Sequence, residues 1–138
     1  SNMDHHIYPG LSVSAQTLIK HGVILGTGEL DIVAAACCDE YDITIKEFKS
    51  RTRLRTLADA RKIFYLICRR DLHKFTCQRL GTYTGRDHST VTVAVQRAAE
   101  LTEIDRSFRV KYNHAKMIAR QRLKLNGYEF NGMPEAQI

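Results

Sequence analysis

Apolar residues along this chain recur with the period of helices, and no segment shows the sustained two-residue alternation of a half-buried strand. From 29 to 40 the chain is rich in Ala, Ile and Val. Ile32, Val33, Ala36 and Cys37 there form the i, i+1, i+4, i+5 stripe of an amphipathic helix. Thr44-Ile45-Lys46-Glu47 has the form of a capping box and predicts a short helix ending near Ser50. Thr56-x-x-Asp59 gives a second start signal. Behind it Leu57, Ala60, Ile63, Phe64, Ile67 and Cys68 share one face of a helix running to about Leu72, with Arg61, Lys62 and Arg69 mostly on the other. Thr76 can cap a short helix through Leu80 and Gly81, followed by a turn over 82–86. Asp87 is placed to cap a helix from His88 to about Glu100. Asp105 can open a last one through Leu125, with Ile104, Phe108, Tyr112, Ala115 and Ala119 near one stripe. The expectation is an all-α domain over 29–125. The two helices flanking 82–86 have the proportions of a helix-turn-helix.

The flanks read differently. Residues 4–28 are broken by Pro9-Gly10, Gly22, Gly26 and Gly28, leaving room for at most a short helix from Ser14 to His21. Gly26-Thr27-Gly28 lacks the third glycine and following lysine of a phosphate loop and reads as a plain loop. Ser1-Asn2 ahead of Met3 looks like a cloning remnant. The tail from Asn126, with Gly127, Gly132 and Pro134, is expected to be flexible.

With 138 residues, 43% of them hydrophobic, the chain has room for one domain and one core. The longest apolar run, Ile32 to Cys38, is far short of the roughly 18 residues of a membrane span, and no secretory signal is visible. A cytoplasmic protein is expected. Cys37 and Cys38 are adjacent and Cys68 and Cys77 stand alone, so no C-x-x-C pair offers a zinc or redox site, and the thiols are expected to act as small buried hydrophobes. The six histidines add no ligand spacing. No metal or cofactor is expected. Without a phosphate loop, a G-x-S-x-G elbow or a carboxylate pair inside a motif, nothing argues for an enzyme.

Charge narrows the function. Of 21 Lys and Arg against 15 Asp and Glu, eleven basic and only three acidic residues lie between Lys46 and Arg79, while the rest of the chain is slightly acidic. A basic stretch concentrated inside a folded domain suggests a polyanion, nucleic acid first and an acidic membrane surface second. No helix there pairs a basic face with an apolar one free of core duty, which sets the membrane aside. Arg51-Thr52-Arg53-Leu54-Arg55 has no helical apolar pattern and reads as an exposed basic loop. A helix opening Asp87-His88-Ser89-Thr90 would present four short polar side chains at its N-terminus. There the backbone N–H groups favour phosphate and such side chains can reach base edges.

Gly85-Arg86-Asp87-His88-Ser89-Thr90-Val91 resembles the G-R-D-H-[ST]-T-V signature of the C-terminal DNA-binding domain of the bacterial replication initiator DnaA. Upstream, residues 41–50 resemble that domain's Y-G-I-[ST]-V-x-D-L-K-S segment. Arg51 to Arg55 fall on its basic loop, and Ala60-Arg61-Lys62-Ile63 on its A-R-Q-I. The likeness covers about 29–120. It implies a helical bundle carrying a helix-turn-helix that binds double-stranded DNA at DnaA-box-like sites. It also implies that Asp87, His88 and Ser89 read bases in the major groove while Thr90 contacts phosphate. Arg53 would enter the minor groove, Arg61 would contact phosphate, and Arg69 or Arg70 would supply a late basic contact. Arg55 in the loop and Arg86 in the signature complete the candidate DNA-binding set.

Three features depart from the family pattern. Residues 75–83 fit its L-S-L-P-E-I-G-x-x-F only with a one-residue slip. Cys77 or Gln78 stands in place of the proline, and Ser89 stands where Thr is commoner, removing a methyl that could touch thymine. Only about 25 residues without a phosphate loop precede the resembling segment, so the family's ATPase module is not expected here. The implied role is that of a nucleoid-associated reader of, or competitor for, such sites in replication initiation control or transcription regulation. The runner-up is a non-enzymatic protein- or RNA-interaction module on the same scaffold, using an expected exposed mix of Tyr65, Arg69, Arg70 and Phe75 together with the N-terminal segment.

Overall fold

The computed structural model describes residues 28–129. Among them the chain runs through α1 (Glu29–Tyr41), α2 (Ile45–Phe48), α3 (Arg55–Leu66) with a π-helical turn (Ile67–Asp71), α4 (Cys77–Thr84), α5 (His88–Ile104) and α6 (Arg106–Leu125), with no strand. The all-α expectation holds. The readings made for Ser14 to His21, for Gly26-Thr27 and for the tail beyond residue 129 lie outside the described residues.

Helix α1 departs from its expected single stripe. Leu30 and every residue from Ile32 to Cys38 are buried, because the helix lies between α6 and α3 and is covered on all sides. Its small Ala and Cys side chains let both neighbours approach. The thiols respond to that burial: Cys38 is pushed up to about 12, and Cys37 and Cys68 also rise well above the ordinary thiol range. They act as core hydrophobes, with Cys77 only half-buried. Polar groups tie the ends of α1 to the periphery. Arg122 donates to Asp39 at 2.5 Å, Lys74 donates to Glu29 at 2.6 Å, and His114 pairs with Glu40.

Three of the expected helix starts form as predicted, at Thr44, Thr76 and Asp105. At α2, the Glu47 amide donates to Thr44 Oγ1 at 3.1 Å while Glu47 Oε1 accepts from the Thr44 amide at 2.9 Å, the reciprocal capping box. This helix of four residues is held by Phe48, which is fully buried and meets Phe64 edge-on at 5.2 Å. At α6, Asp105 accepts from the Phe108 amide, and Phe108, Tyr112, Ala115 and Ala119 are buried as the stripe predicts. Ile104 is not: it ends α5 and is 71% exposed.

The remaining boundaries shift for identifiable reasons. Helix α3 starts at Arg55, one residue before Thr56, because the Ala58 amide already bonds to the Leu54 carbonyl. Thr56-x-x-Asp59 makes no cap, and Asp59 lies instead 3.7 Å from Arg55 and 3.9 Å from Lys62. Toward its C-terminus α3 widens into the π-turn, closed by the Leu72 amide on the Ile67 carbonyl, which turns Asp71 and Leu72 into the interior. Helix α4 runs through Thr84 rather than stopping at Gly81, and α5 runs to Ile104 rather than Glu100. Residues 126–128, expected at the start of a flexible tail, cap α6 in a Schellman motif. The Tyr128 amide bonds to the Leu123 carbonyl and the Gly127 amide to Lys124, with Gly127 at φ 82°.

Candidate nucleic-acid interface

The helix-turn-helix is built from α4, a tight turn and α5, and tertiary contacts fix its angle. Thr76 caps α4 by accepting from the Arg79 amide at 3.0 Å. Gly85 then ends α4 in the left-handed region at φ 71°, where glycine carries no Cβ penalty, so the turn is 85–87 and not 82–86. The chain folds straight back: the Arg86 amide bonds to the Gly81 carbonyl at 2.7 Å. Two tyrosines fasten α4 to the core, one of them Tyr65, expected at the surface and instead buried by its packing on Phe64 and its bond to Thr84. Tyr83 donates to Asp31 of α1 at 2.5 Å and stacks on Phe64, while the buried Tyr65 and Thr84 hydroxyls share a hydrogen bond of 2.7 Å. Val91, fully buried, seats the first turn of α5.

This arrangement leaves the beginning of α5 facing solvent. Asp87, His88, Ser89 and Thr90 are all exposed. Asp87 stands at the N-cap position, but its carboxylate accepts from the Ser89 hydroxyl rather than closing a side-chain cap on the backbone. That bond, more than the His88 imidazole 3.7 Å away, holds the Asp87 carboxyl below its ordinary range. The group is an anion at neutral pH, able to accept from a base amino group.

Beside this end lies a cleft of about 470 Å³ lined by Arg51, Thr52, Arg53, Ala58, Arg61, Gly85, Arg86, Asp87 and Thr90. Five of the ten predicted site residues, Arg53, Arg61, Arg86, Asp87 and Thr90, thus meet around one concavity whose guanidiniums outnumber its carboxylates. His88 and Ser89 sit on the same helix end. Arg55 is the first residue of α3, its side chain 85% exposed. Arg53 is exposed in the loop.

One arginine differs from its sequence reading, and two others are exposed away from the cleft. Arg61, placed on the outer face by pattern, is 5% exposed and donates to the carbonyls of Phe48, Ser50, Thr52 and Glu47. Burial, and after it the charge of Arg86, pulls its pKa down. The spacing held a signal for this, since Arg61 is four residues after Leu57 and three before Phe64, inside the buried stripe. Arg69 and Arg70 do not line the cleft. From the π-turn, Arg69 donates to the Phe75 carbonyl at 2.7 Å and Arg70 to the Tyr112 hydroxyl at 3.0 Å. Arg51 and Thr52 line the cleft but were absent from the candidate set, and no motif singled them out from their loop.

A helix-turn-helix whose second helix begins beside a basic loop is the class of module that fold and site define. The sequence profile of the bacterial DnaA protein helix-turn-helix matches residues 30–98, half of the chain, and the chain belongs to this family. Its similarity to chromosomal replication initiator proteins DnaA is distant. It is 31% identical to that of Sulfurimonas denitrificans over 59% of this chain and 19% of the relative. It is 26% identical to that of Caldanaerobacter subterraneus subsp. tengcongensis over 70% and 20%, and 30% identical to that of Geobacter metallireducens over 66% and 21%. The chain thus spans about a fifth of the length of these relatives. Membership supports DNA binding by a non-catalytic helix-turn-helix. Among the described residues no group of three His, Cys, Asp or Glu is placed to hold a metal ion, and no helix is long and apolar enough to cross a membrane.

Proposed function

We propose that residues 29–125 form a sequence-specific reader of double-stranded DNA with a preference for DnaA-box-like sites, acting in replication initiation or its control. The observation that supports it best is the convergence of Arg53, Arg86, Asp87 and Thr90 on one cleft at the N-terminus of α5. A duplex lying there meets two recognition elements at once. Asp87, His88 and Ser89 read base edges in the major groove, and the Thr90 hydroxyl with the first amides of α5 takes phosphate. Arg53, on the exposed loop, inserts into an adjoining minor groove, where narrow A·T-rich steps attract a guanidinium. Arg51, Arg55 and Arg86 add phosphate attraction, which supplies affinity without sequence information. Arg69 and Arg70, both exposed and each holding one hydrogen bond within the protein, supply a late basic contact beyond the cleft. The protein works where DNA is, in the nucleoid.

The test is fluorescence anisotropy of the purified chain against a DnaA-box duplex and a scrambled duplex across a salt series. Tighter box binding that persists at physiological salt is the expected result. Equal binding to both, fading linearly with log salt, would leave a non-specific DNA-binding scaffold and refute the site preference.

A further inference from the structure

Two guanidiniums from different elements converge on one backbone carbonyl. Arg61, from the middle of α3, donates to Ser50 O at 2.9 Å, to Phe48 O at 2.7 Å and to Thr52 O at 3.3 Å. Arg86, from the turn before α5, donates to the same Ser50 O at 2.9 Å and to Thr84 O at 2.8 Å. Past Ser50 the loop is exposed through Leu54, and its own hydrogen bond, from the Leu54 amide to Thr52 Oγ1, is long at 3.5 Å. The loop therefore takes its position from the two arginines. Charge-assisted bonds are the stronger kind, and Arg86 reaches its two carbonyls from two nitrogens of one rigid plane, whereas a lysine has to serve both from a single ammonium. The pair carries a built-in tension. Arg86 lies close enough for its charge to lower the Arg61 pKa, and the hydrogen-bond partners of both are neutral carbonyls.

On the reading that the Arg53 loop and the start of α5 touch the same duplex, we propose that Arg61 and Arg86 are positioning residues that lock the loop to the reading helix through the Ser50 carbonyl. The protein then measures the spacing between a minor-groove step and the major-groove base pairs, besides reading the bases themselves. Arg61, given a phosphate contact by resemblance, acts here through the loop.

The experiment begins with a duplex selected by this chain from a random pool. A second duplex carries one base pair inserted between the A·T-rich step and the base pairs whose preference His88→Ala relaxes. The readout is the ratio of the two affinities, which cancels any uniform loss of phosphate attraction. The unaltered chain should disfavour the insertion about tenfold. Arg86→Met and Arg86→Lys, each checked by circular dichroism and thermal melting, should both bring the ratio below about twofold. A tenfold ratio retained by either variant overturns the clamp: retention by Arg86→Met assigns Arg86 no positioning role, and retention by Arg86→Lys assigns the effect to charge. A selection that returns no sequence preference refutes the functional reading itself, and the spacing rule with it.

Discussion

Gly81→Ala sets two physical effects of known size against each other. Within a helix, exchanging glycine for alanine alone stabilises by about 0.5–1 kcal/mol, because the unfolded chain has less freedom to lose. Gly81 lies inside α4, so propensity alone calls for a more stable protein. The turn says otherwise. A Cβ at Gly81 would lie 2.3 Å from the Arg86 carbonyl oxygen, 3.3 Å from its carbon and 3.4 Å from the Asp87 carbon. Those are backbone atoms that no rotamer change can move aside, and restoring an ordinary contact requires the turn to back away by about 1 Å. Overpacking of this kind costs about 1–3 kcal/mol, with the upper part of that range expected against backbone. The net expectation is destabilisation by up to about 2 kcal/mol, after the propensity gain is subtracted. The displaced atoms are the N-cap of α5 and the residue before it, so the reading end shifts as well. Urea denaturation should show a lower midpoint at unchanged slope. DNA affinity should fall further than the fraction unfolded explains, measured where both proteins are folded. A Gly81→Ala protein more stable than its parent, with its affinity intact, would refute the close-approach reasoning.

Other perturbations separate roles at the interface and in the core. Arg53→Ala should weaken binding to every duplex, reduce the salt slope by about one unit and remove A·T-rich preference, as read by anisotropy across salt. His88→Ala should instead relax discrimination at one or two base pairs by about 1–3 kcal/mol; unchanged preference at all positions would sink the assignment of α5 as the reading helix. Asp71 offers a pH test. Burial raises its pKa above the ordinary 3.8 by more than the Tyr112 hydroxyl, Lys116 and Arg70 lower it. A raised folded pKa stabilises fully below the unfolded value and less as pH climbs through the folded one. The stability of the parent relative to Asp71→Asn should therefore be greatest below pH 3.8 and decline toward neutrality, a trend that denaturation at several pH values would check.

What local pattern could reveal, it revealed at positions where one segment supplies both partners of an interaction. Thr44 with Glu47, Thr76 with the Arg79 amide and Asp105 with the Phe108 amide are contacts across three residues, and spacing alone predicts them. The all-α class, the last helix and the exposed polar start of α5 follow from such signals, and the heptapeptide at 85–91 carried the family. Position along a helix also decides a cap only when the chain outside it cooperates. Thr56-x-x-Asp59 had the right spacing and lost to a helix whose cap position is Leu54, two residues earlier.

Tertiary structure decided everything that depends on a partner distant in the chain. A stripe can show that one face of α1 is apolar, but only its place between α3 and α6 buries every residue from Ile32 to Cys38. Charge composition marks Arg61 as a solvent group, yet carbonyls contributed by residues 47–52 hold it inside. The same bonds turn an exposed loop into a positioned one. Arginine is long enough to be apolar along its stem and polar at its tip, so its sequence position does not say which end the fold will use. The sequence by itself determined the helices and the chemistry offered at the start of α5. The packing of α2, α3 and the turn determined that the loop and that helix end face one cleft, because only three-dimensional convergence can place two guanidiniums on one carbonyl.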